Sequence, residues 1–343
     1  MEKKGVAELS IAISLPIHNW SPQLKAVLGS LKAQSAKLQV AVMMTHDDPK
    51  IRADLDRSGL SFHYSRIGPD AGQAAAIAEG WANTDSPILA WLNTDDALAS
   101  QALTRISALF EEDSNLDLVY GHSTISDGTN TIWGYHPAVQ PSQNLIARTN
   151  IISQPSCFFR RNTVDAIGGL NTKLHYTMDW DLWLRLYKNQ AQFKFMDQIL
   201  SNVTWGPQTK TARLSRQRLF EITKILQQSQ SIYKTGVGLS ALIRSNLSTY
   251  KSNKSFQINC KQFRTIKSMA EIPILNMHSK PKRQLLIESD DASIKISDLE
   301  NAFNIETEDE KTILNFHKAL TPGKSVYLSV SGDNIPLKSF AWR

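Results

Sequence analysis

The chain has 343 residues, of which 41% are hydrophobic and 20% charged, with a formal net charge of +6. This composition is typical of a globular protein with a substantial core, and the length predicts one large domain with an appendage, or two domains. The two cysteines form no C-x-x-C pair, which excludes a disulfide framework or a cysteine zinc site and favours a reducing cytosol. We expect no signal peptide, and no apolar run reaches the ~18 residues of a membrane-spanning helix.

Positive charge is concentrated in residues 207–283. This stretch holds 15 Lys and Arg against only Glu221 and Glu271, a local net charge of +13, so the rest of the chain carries −7. Few aromatics accompany the basic residues and no zinc finger or other nucleic-acid motif is present, so we expect no nucleic-acid partner. An anionic lipid surface or a phosphorylated acceptor fits the charge better. A solvated basic face remains the alternative.

Apolar segments of strand length alternate with helical periodicity over the first hundred residues. The predicted strands are 9–16, 38–44, 60–65 and 88–92, and the predicted helices are 22–32, 51–58 and 73–82. This alternation predicts a largely parallel sheet with right-handed crossovers. Each strand is followed by a polar loop, and the four loops should meet at the carboxyl edge of the sheet, where ligands bind.

The fourth predicted strand ends in Asn93-Thr94-Asp95-Asp96. Two adjacent carboxylates at the end of a buried strand are costly unless they are paired. A hard cation such as Mg²⁺ or Mn²⁺, shared with substrate phosphates, would stabilise them. A solvated Asp pair that caps the helix beginning near Ser100 is the alternative.

The second half of the chain is less regular. We predict strands at 116–120 and 193–196, a β-hairpin at 126–135, and a strand after Gln154-Pro155. Predicted helices lie before Gly168-Gly169, at 178–188 and at 215–233. Toward the C-terminus we predict strands at 285–288 and 325–330 and a helix at 308–320. Residues 316–330 resemble a late helix, turn and strand of class I methyltransferases, but no Gly-rich loop is present, so we predict no methyl transfer.

Several of these segments together resemble the inverting glycosyltransferases of family 2, of the type that builds bacterial surface polysaccharides. The resemblance covers about residues 9–212. It rests on Pro69-Asp70-Ala71-Gly72-Gln73 with the Asn93–Asp96 loop, Leu118-Val119-Tyr120-Gly121, Gln154-Pro155-Ser156-Cys157, and Gly168-Gly169-Leu170-Asn171 with Met178-Asp179-Trp180-Asp181.

The resemblance implies an α/β fold of the GT-A type, a Rossmann-like, mostly parallel sheet flanked by helices. We therefore expect a GT-A glycosyltransferase domain at 1–212, a basic helical extension at 213–255, and a small C-terminal α/β accessory region of uncertain fold at 256–343.

By position, the resemblance also implies roles for individual residues. Asp95 would bind Mg²⁺ or Mn²⁺ at the donor diphosphate, with support from Asp96, and the metal would stabilise the leaving group as a Lewis acid. Asn93 replaces an aspartate of many relatives. The donor-binding residues expected on this basis are Pro16, His18, Asn19, Asp47, Asp70, Gln73, Asn93 and Lys210.

Asp179 stands where the family has its general base, which takes the proton of the acceptor hydroxyl. A helix N-terminal Asp favoured by the macrodipole is the alternative for this residue. The acceptor contacts expected are His175, Tyr176 and Trp180, whereas Asp181 and Trp183 are expected to be structural.

The expected activity is metal-dependent transfer of a sugar, from a nucleotide-diphosphate sugar with UDP as the first choice, to a glycan or lipid-linked acceptor. The expected location is cytoplasmic, with peripheral binding to the inner face of the cytoplasmic membrane as a further expectation. A catalytically weakened sugar-nucleotide-binding or scaffold member of the family is the alternative, since the second strand ends in Thr45-His46-Asp47-Asp48 and no His precedes Thr209-Lys210. A nucleotidyltransferase is disfavoured because residues 16–19 contain no glycine.

Overall fold

The structure is a computed structural model. It describes residues 9–126, 131–136, 141, 146–147, 150–204, 209–210 and 215–228, together with the C-terminal strands 266–275, 282–289, 295–298, 303–308, 311–320, 325–335 and 337–342.

Helices and strands alternate in the first half of the described chain, as predicted. The helices are α1 (Leu24–Lys32), α2 (Pro49–Ser58), α3 (Gln73–Ala82), α4 (Ala102–Glu112), α5 (Arg161–Ala166), α6 (Met178–Lys188) and α7 (Arg216–Gln227). The strands up to residue 204 are β1 (Ile11–Ile17), β2 (Leu38–Met44), β3 (Phe62–Ile67), β4 (Ile88–Trp91), β5 (Ala97–Leu98), β6 (Leu118–Ser126), β7 (Thr131–His136), β8 (Cys157–Arg160) and β9 (Phe193–Thr204).

The four N-terminal strands form a parallel sheet in the order β4-β1-β2-β3. The chain moves outward from β1 to β2 and β3 and then returns to the other side of β1 for β4. This reversal of strand order is a topological switch point, and the crevice outside the carboxyl ends of β1 and β4 is the expected ligand position. The loops after these two strands begin at His18 and Leu92.

The sheet continues past β4 through antiparallel neighbours. β8 pairs with both β4 and β6, so the short 3₁₀ turn that precedes it, Gln154–Ser156, lies at the same edge as the loop after β4. β9 runs parallel to β6 and also pairs with β5. It is three times longer than the predicted strand at 193–196, because its second half continues along β6.

The alternating residues of β1 face two separate cores. Ile11, Ile13 and Leu15 pack with α1 and α4 on one side, whereas Ala12 faces α3 and α6 on the other. The second core contains stacked indoles from Trp91 on β4 and Trp183 on α6, with ring centroids 5.9 Å apart. The core position expected for Trp183 is confirmed. This aromatic packing fixes α6 against the strand that leads into the Asp pair.

The helix α7 begins the predicted basic extension but packs against this second core. Ile222, Ile225 and Leu226 are buried in the cluster that also contains Leu182 and Trp183 of α6. A domain boundary at residue 212 therefore stays a prediction, and the inner face of α7 belongs with the α/β core. Most of the remaining extension, including the predicted linker at 248–255, lies outside the described residues, as does the tip of the predicted hairpin at 127–130.

The C-terminal region differs from the prediction. Its described elements are all strands, β10 (Ile266–Leu275), β11 (Lys282–Ser289), β12 (Lys295–Asp298), β13 (Phe303–Glu308), β14 (Lys311–Leu320), β15 (Ser325–Ile335) and β16 (Leu337–Trp342). The predicted helix at 308–320 is wrong, because β14 pairs on both sides with β11 and β13. β16 pairs with β7, which joins this region to the main sheet. No helix among the described residues is long and apolar enough to cross a bilayer.

Candidate active site

Four polar loops meet at the carboxyl edge of the parallel strands, as predicted. The parallel pairing of β1 with β2 and β4 and of β2 with β3 places the ends of these strands on one side of the sheet. The turn Gln154–Ser156 joins them from the antiparallel strand β8. These loops lie beyond the paired part of the sheet. Their side chains are therefore not committed to strand packing and can form a site.

Asp95 and Asp96 have different surroundings. Asp96 is 3% exposed, and its carboxylate accepts hydrogen bonds from Nδ2 of Asn93 at 2.9 Å and from the amide of Thr204 at 3.3 Å. Among the described residues, no hydrogen bond from another residue reaches the half-buried carboxylate of Asp95. Asp95 is therefore the carboxylate with free coordinating capacity.

The electrostatics of the pair favour a cation. Burial raises the pKa of the Asp95 carboxyl. Burial also raises the pKa of the Asp96 carboxyl well above its usual range, the charge of Asp95 adds to this effect, and the hydrogen bonds from Asn93 and Thr204 oppose it. Two crowded carboxylates that resist ionisation are stabilised when a positive charge is placed between or beside them.

The carboxylates of Asp95 and Asp96 supply only part of the coordination shell that a divalent cation needs. No group of three or more His, Cys, Asp or Glu side chains within the described ranges could hold a metal ion. The oxygen donors of Asp95 and Asp96 are nevertheless of the type that Mg²⁺ and Mn²⁺ prefer, and Mg²⁺ commonly takes one or two carboxylates and completes its shell with water and phosphate. The residues fit a divalent cation that is bound together with a phosphate ligand.

Gln73 links the Asp loop to Lys210. Its Nε2 donates to Oδ1 of Asn93 at 2.7 Å, and its Oε1 accepts from Nζ of Lys210 at 3.1 Å. The ammonium of Lys210 also lies 5.4 Å from the centre of the Tyr176 ring. Three of the residues expected to bind the donor are thus in direct contact, and Lys210 extends the cluster to an expected acceptor residue.

Gln154 completes this cluster from the other side. Its Oε1 accepts from Nδ2 of Asn93 at 3.3 Å, and its Nε2 donates to the carbonyl of Trp91 at 2.8 Å. The sequence reasoning assigned no role to Gln154, although it stands in one of the motifs. The Asn93 amide is therefore held on both sides and supports Asp96 without adding negative charge.

Asp179 lies in the first turn of α6 and is held by two donors. Nδ2 of Asn150 donates to Oδ2 at 2.8 Å, and the amide of Trp180 donates to Oδ1 at 2.7 Å. Burial raises the pKa of the Asp179 carboxyl, against these hydrogen bonds and the charge of Lys210. A fixed carboxylate with a raised pKa is suited to accept a proton. Asn150, which the sequence reasoning missed, carries no motif signal.

Lys210 is influenced by the negative charges of two carboxylates. Burial lowers the pKa of Lys210 to about 8, against the charges of Glu221 and Asp179. At neutral pH the side chain is therefore largely charged but poorly solvated, which suits it to contact a phosphate.

The residues expected to contact the acceptor divide into two kinds. His175 is exposed and Tyr176 is half-buried, with the rings in edge contact at 4.8 Å. Trp180 is instead 7% exposed and donates from its indole to the carbonyl of Ile146 at 2.7 Å. This position favours packing rather than acceptor contact for Trp180.

The remaining donor candidates occupy the rim. Thr45 Oγ1 lies 3.2 Å from Nδ1 of His18 and 3.1 Å from Nδ1 of His46, which ties the loops after β1 and β2 together. Asp47 forms an ion pair with Arg52 on α2. Asp70 accepts from the amide of Gly72 at 2.8 Å and so shapes the loop before α3. Pro16 lies within β1 opposite Met43, and Asn19 is exposed in the loop that follows.

Asp181 has a separate, structural environment. Its buried carboxylate accepts from Nε of Arg185 at 2.7 Å, and the same guanidinium donates to the carbonyl of Ile167 at 3.0 Å. The pair ties α6 to the end of α5. The structural role expected for Asp181 fits these contacts.

Comparison with known proteins supports a family assignment. Residues 12–168, a little under half of the chain, match the family described as Glycosyl transferase family 2. The match supports a family 2 glycosyltransferase domain over these residues. The chain is 32% identical over 123 residues to the PGL/p-HBAD biosynthesis glycosyltransferase of Mycobacterium tuberculosis, an alignment of 36% of this chain and 46% of that protein. It is 24% identical over 188 residues to an uncharacterized glycosyltransferase of Haemophilus influenzae, covering 53% of this chain and 63% of that protein.

The chain thus spans about half the length of the PGL/p-HBAD biosynthesis glycosyltransferases that it matches. Among solved structures, S. aureus TarS 1–349 superposes with a TM-score of 0.50 at 12% identity, over 74% of this chain and 77% of that chain. The same protein in complex with UDP-GlcNAc gives 0.50 at 10% identity, over 74% and 78%. These superpositions confirm the GT-A fold predicted for the glycosyltransferase domain.

Proposed function

We propose that this glycosyltransferase is an inverting enzyme that moves a sugar from a nucleotide-diphosphate sugar to a glycan or lipid-linked acceptor in surface polysaccharide biosynthesis. The observation that carries the proposal is the contact series from Asn93 through Gln73 and Lys210 to Tyr176. The series links the loop that carries Asp95 to the segment just before the helix that carries Asp179, which supports a single site.

In the proposed reaction, Asp179 accepts the proton of the acceptor hydroxyl while that oxygen attacks the anomeric carbon of the donor sugar. The bond from this carbon to the diphosphate oxygen breaks in the same displacement, and its electron pair leaves with the nucleotide diphosphate. Attack opposite the leaving group inverts the anomeric centre. Asn150 holds Oδ2 of Asp179, so the carboxylate needs little reorganisation.

The negative charge that develops on the diphosphate is met by Lys210, which Gln73 orients through Oε1. Asp95, with Asp96 beside it, would hold Mg²⁺ or Mn²⁺, and the bound ion supplies Lewis-acid stabilisation of the diphosphate. Asn93 keeps Asp96 in place through Nδ2. His18 and Asn19 follow β1 at the switch point, where the nucleoside should lie.

A panel of nucleotide diphosphates and sugar nucleotides, with and without Mn²⁺, tests the donor by thermal shift. UDP-GlcNAc is the first donor to include, because S. aureus TarS, which shares the fold, was crystallised with it. We expect one base to raise the Tm more than the others and Mn²⁺ to increase that shift. If no sugar nucleotide raises the Tm at any metal concentration, the donor proposal fails.

We further propose that the outer face of α7 binds an anionic membrane surface. Phe220 is 59% exposed there, and Nζ of Lys224 lies 4.5 Å above its ring. Arg216, one turn before Phe220, is also exposed. An exposed aromatic ring flanked by cations is suited to the lipid headgroup region, and the surrounding stretch carries a local charge of +13. Such placement would bring the site close to a lipid-linked acceptor.

A further inference from the structure

The segment that leads into α6 receives its hydrogen-bond acceptors from another helix. The N-cap residue of α6, Thr177, makes no side-chain capping hydrogen bond. The backbone amides of His175, Tyr176 and Thr177 instead point to a single carboxylate, that of Glu221 on α7. Amides at the start of a helix lack intrahelical acceptors, so an outside acceptor stabilises them.

The contacts of Glu221 use both carboxylate oxygens. Oε1 accepts from the amide of His175 at 3.0 Å, and Oε2 accepts from the amides of Tyr176 at 2.7 Å and Thr177 at 3.1 Å. Oε2 also accepts from the hydroxyl of Thr177 at 3.2 Å, and Oε1 accepts from Nε2 of Gln217 at 3.1 Å. Glu221 is only 3% exposed.

A buried carboxylate is costly unless donors surround it, and here consecutive backbone amides do so. The negative charge also lies at the positive end of the α6 dipole. Glu221 is one of only two acidic residues in the stretch 207–283. Its hydrogen bonds to residues 175–177 give this carboxylate a specific structural role. The carboxylate therefore fixes the path of residues 175–177.

The segment held in this way carries the groups that the proposed function uses. Tyr176 presents its ring to Lys210, and Asp179 follows two residues after Thr177. Glu221 also acts on Lys210 itself, since its charge opposes the lowering of the Lys210 pKa by burial. Arg218, one turn earlier on α7, lies close enough to Tyr176 and Asp179 for their charges to act on its pKa.

We propose that Glu221 is a positioning residue for sugar transfer. Its carboxylate clamps residues 175–177 and thereby sets the first turn of α6, with Asp179, against Lys210. This proposal rests on the proposed function for the role of Asp179. It makes α7, the first helix of the basic stretch, part of the working site.

Amide hydrogen exchange tests the clamp without any substrate. In Glu221→Ala we expect exchange at residues 175–177 to accelerate about tenfold or more, because three amides lose their acceptor. Glu221→Gln keeps the shape and one acceptor oxygen, so its exchange should lie between that of Glu221→Ala and the wild type. Gln227→Ala, at an exposed position of the same helix, is the control and should exchange as the wild type does.

Donor hydrolysis kinetics test the positioning. In Glu221→Ala we expect kcat to fall about 10- to 100-fold while the donor KM changes little, with partial rescue in Glu221→Gln, because misplacement of a catalytic group reduces the chemical step. Wild-type kcat in a folded Glu221→Ala protein with faster exchange at 175–177 would overturn the proposal. So would unchanged exchange in both Glu221 variants.

The two failures are distinguishable. An active Asp179→Asn enzyme would disprove the general-base role of Asp179 in the proposed function. The kinetics of that variant alone measure this. Unchanged amide exchange in Glu221→Ala would remove the clamp whatever Asp179 does. Should Glu221→Ala not fold, Glu221→Gln still decides the outcome. Accelerated exchange with reduced kcat in this variant supports the clamp, whereas wild-type exchange together with wild-type kcat contradicts it.

Discussion

Gln73 donates a hydrogen bond from Nε2 to Oδ1 of Asn93 over 2.7 Å. The bond fixes the orientation of the Asn93 amide, so that its Nδ2 faces Oδ2 of Asp96 and Oε1 of Gln154. An amide at this position therefore does what an aspartate cannot, because it donates to a carboxylate that already resists ionisation. Asn93 is thus a working part of the loop.

Asn93→Asp should destabilise the protein in the absence of metal. The new carboxylate would face Asp96 and the side-chain Oε1 of Gln154, and the hydrogen bond to buried Asp96 would be lost. We expect a loss of roughly 1–3 kcal/mol in the free energy of unfolding. Thermal denaturation in EDTA and in Mn²⁺ measures it, and Mn²⁺ should restore more stability to this variant than to the wild type.

The matched control for this variant is Asn115→Asp, which adds the same charge at an exposed position. Equal Tm values for Asn93→Asp and the wild type in EDTA would show that the Asn93 amide does not support Asp96.

Nucleotide diphosphate binding should weaken as pH rises through the Lys210 pKa of about 8. Below this pH the ammonium is charged and attracts the diphosphate, and above it the charge is lost. Between pH 7 and pH 9 we expect about a tenfold decrease in affinity, measured by calorimetry without metal. The titratable side chains that act on Lys210 are Glu221, Asp179 and His175, and Tyr176 packs against it.

Lys210→Arg separates this effect from other titrations, because a guanidinium stays charged over the whole range. The variant should bind with little pH dependence, whereas Lys210→Met should bind weakly throughout. A pH dependence in Lys210→Met equal to that of the wild type would assign the titration to another group.

The sequence predicted the first half of the fold and the loop edge well. Alternating apolar strands and amphipathic helices up to β4 each carry their own periodicity, so the ends of β1 to β4 could be placed together. The predicted helix at 308–320 failed because β14 is a strand stabilised by long-range pairing on both sides, which local pattern does not reveal. The extension of β9 along β6 was missed for the same reason.

The motifs marked residues that the structure joins, but not the partners that come from elsewhere. Gln73, Asn93, Asp96 and Lys210 are connected by hydrogen bonds, Asp95 precedes Asp96 in the same loop, and their roles stay predictions. Asn150 and Glu221 stand in segments without a motif, and only the packing of α7 on α6 brings Glu221 to residues 175–177. Trp180 was expected to contact the acceptor because sugar rings stack on aromatic side chains. Its buried indole instead donates a hydrogen bond to the carbonyl of Ile146.

Asp179→Asn and Asp181→Asn should differ in their effect on stability, although the two residues are in the same turn of α6. Asp181→Asn removes the partner of a three-quarters buried Arg185, so we expect a loss of about 1–3 kcal/mol in the free energy of unfolding. Asp179→Asn removes a carboxylate whose pKa is raised by burial, and its stability should stay within about 1 kcal/mol of the wild type. Urea denaturation at neutral pH measures both, and a larger loss in Asp179→Asn would contradict the assignment.

Binding to vesicles of an anionic lipid should depend on Phe220. The wild type should pellet with phosphatidylglycerol vesicles at low ionic strength and be released at high salt, because screening weakens surface charge. Phe220→Ala should reduce the affinity about fivefold, since part of an apolar ring no longer enters the interface. Ile305→Ala, at a 42% exposed position of β13, is the control. Absence of binding at low salt would remove the membrane proposal.

The most direct test of the central claim is the rate of sugar-nucleotide hydrolysis with Mn²⁺ in the wild type, Asp95→Asn and Asp179→Asn. We expect both variants to lose about 100-fold or more in kcat. Asp179→Asn should still bind the donor, because its carboxylate takes no part in the contacts of Gln73, Asn93 and Lys210. Equal rates in all three proteins would contradict the account and leave a sugar-nucleotide-binding protein without catalysis.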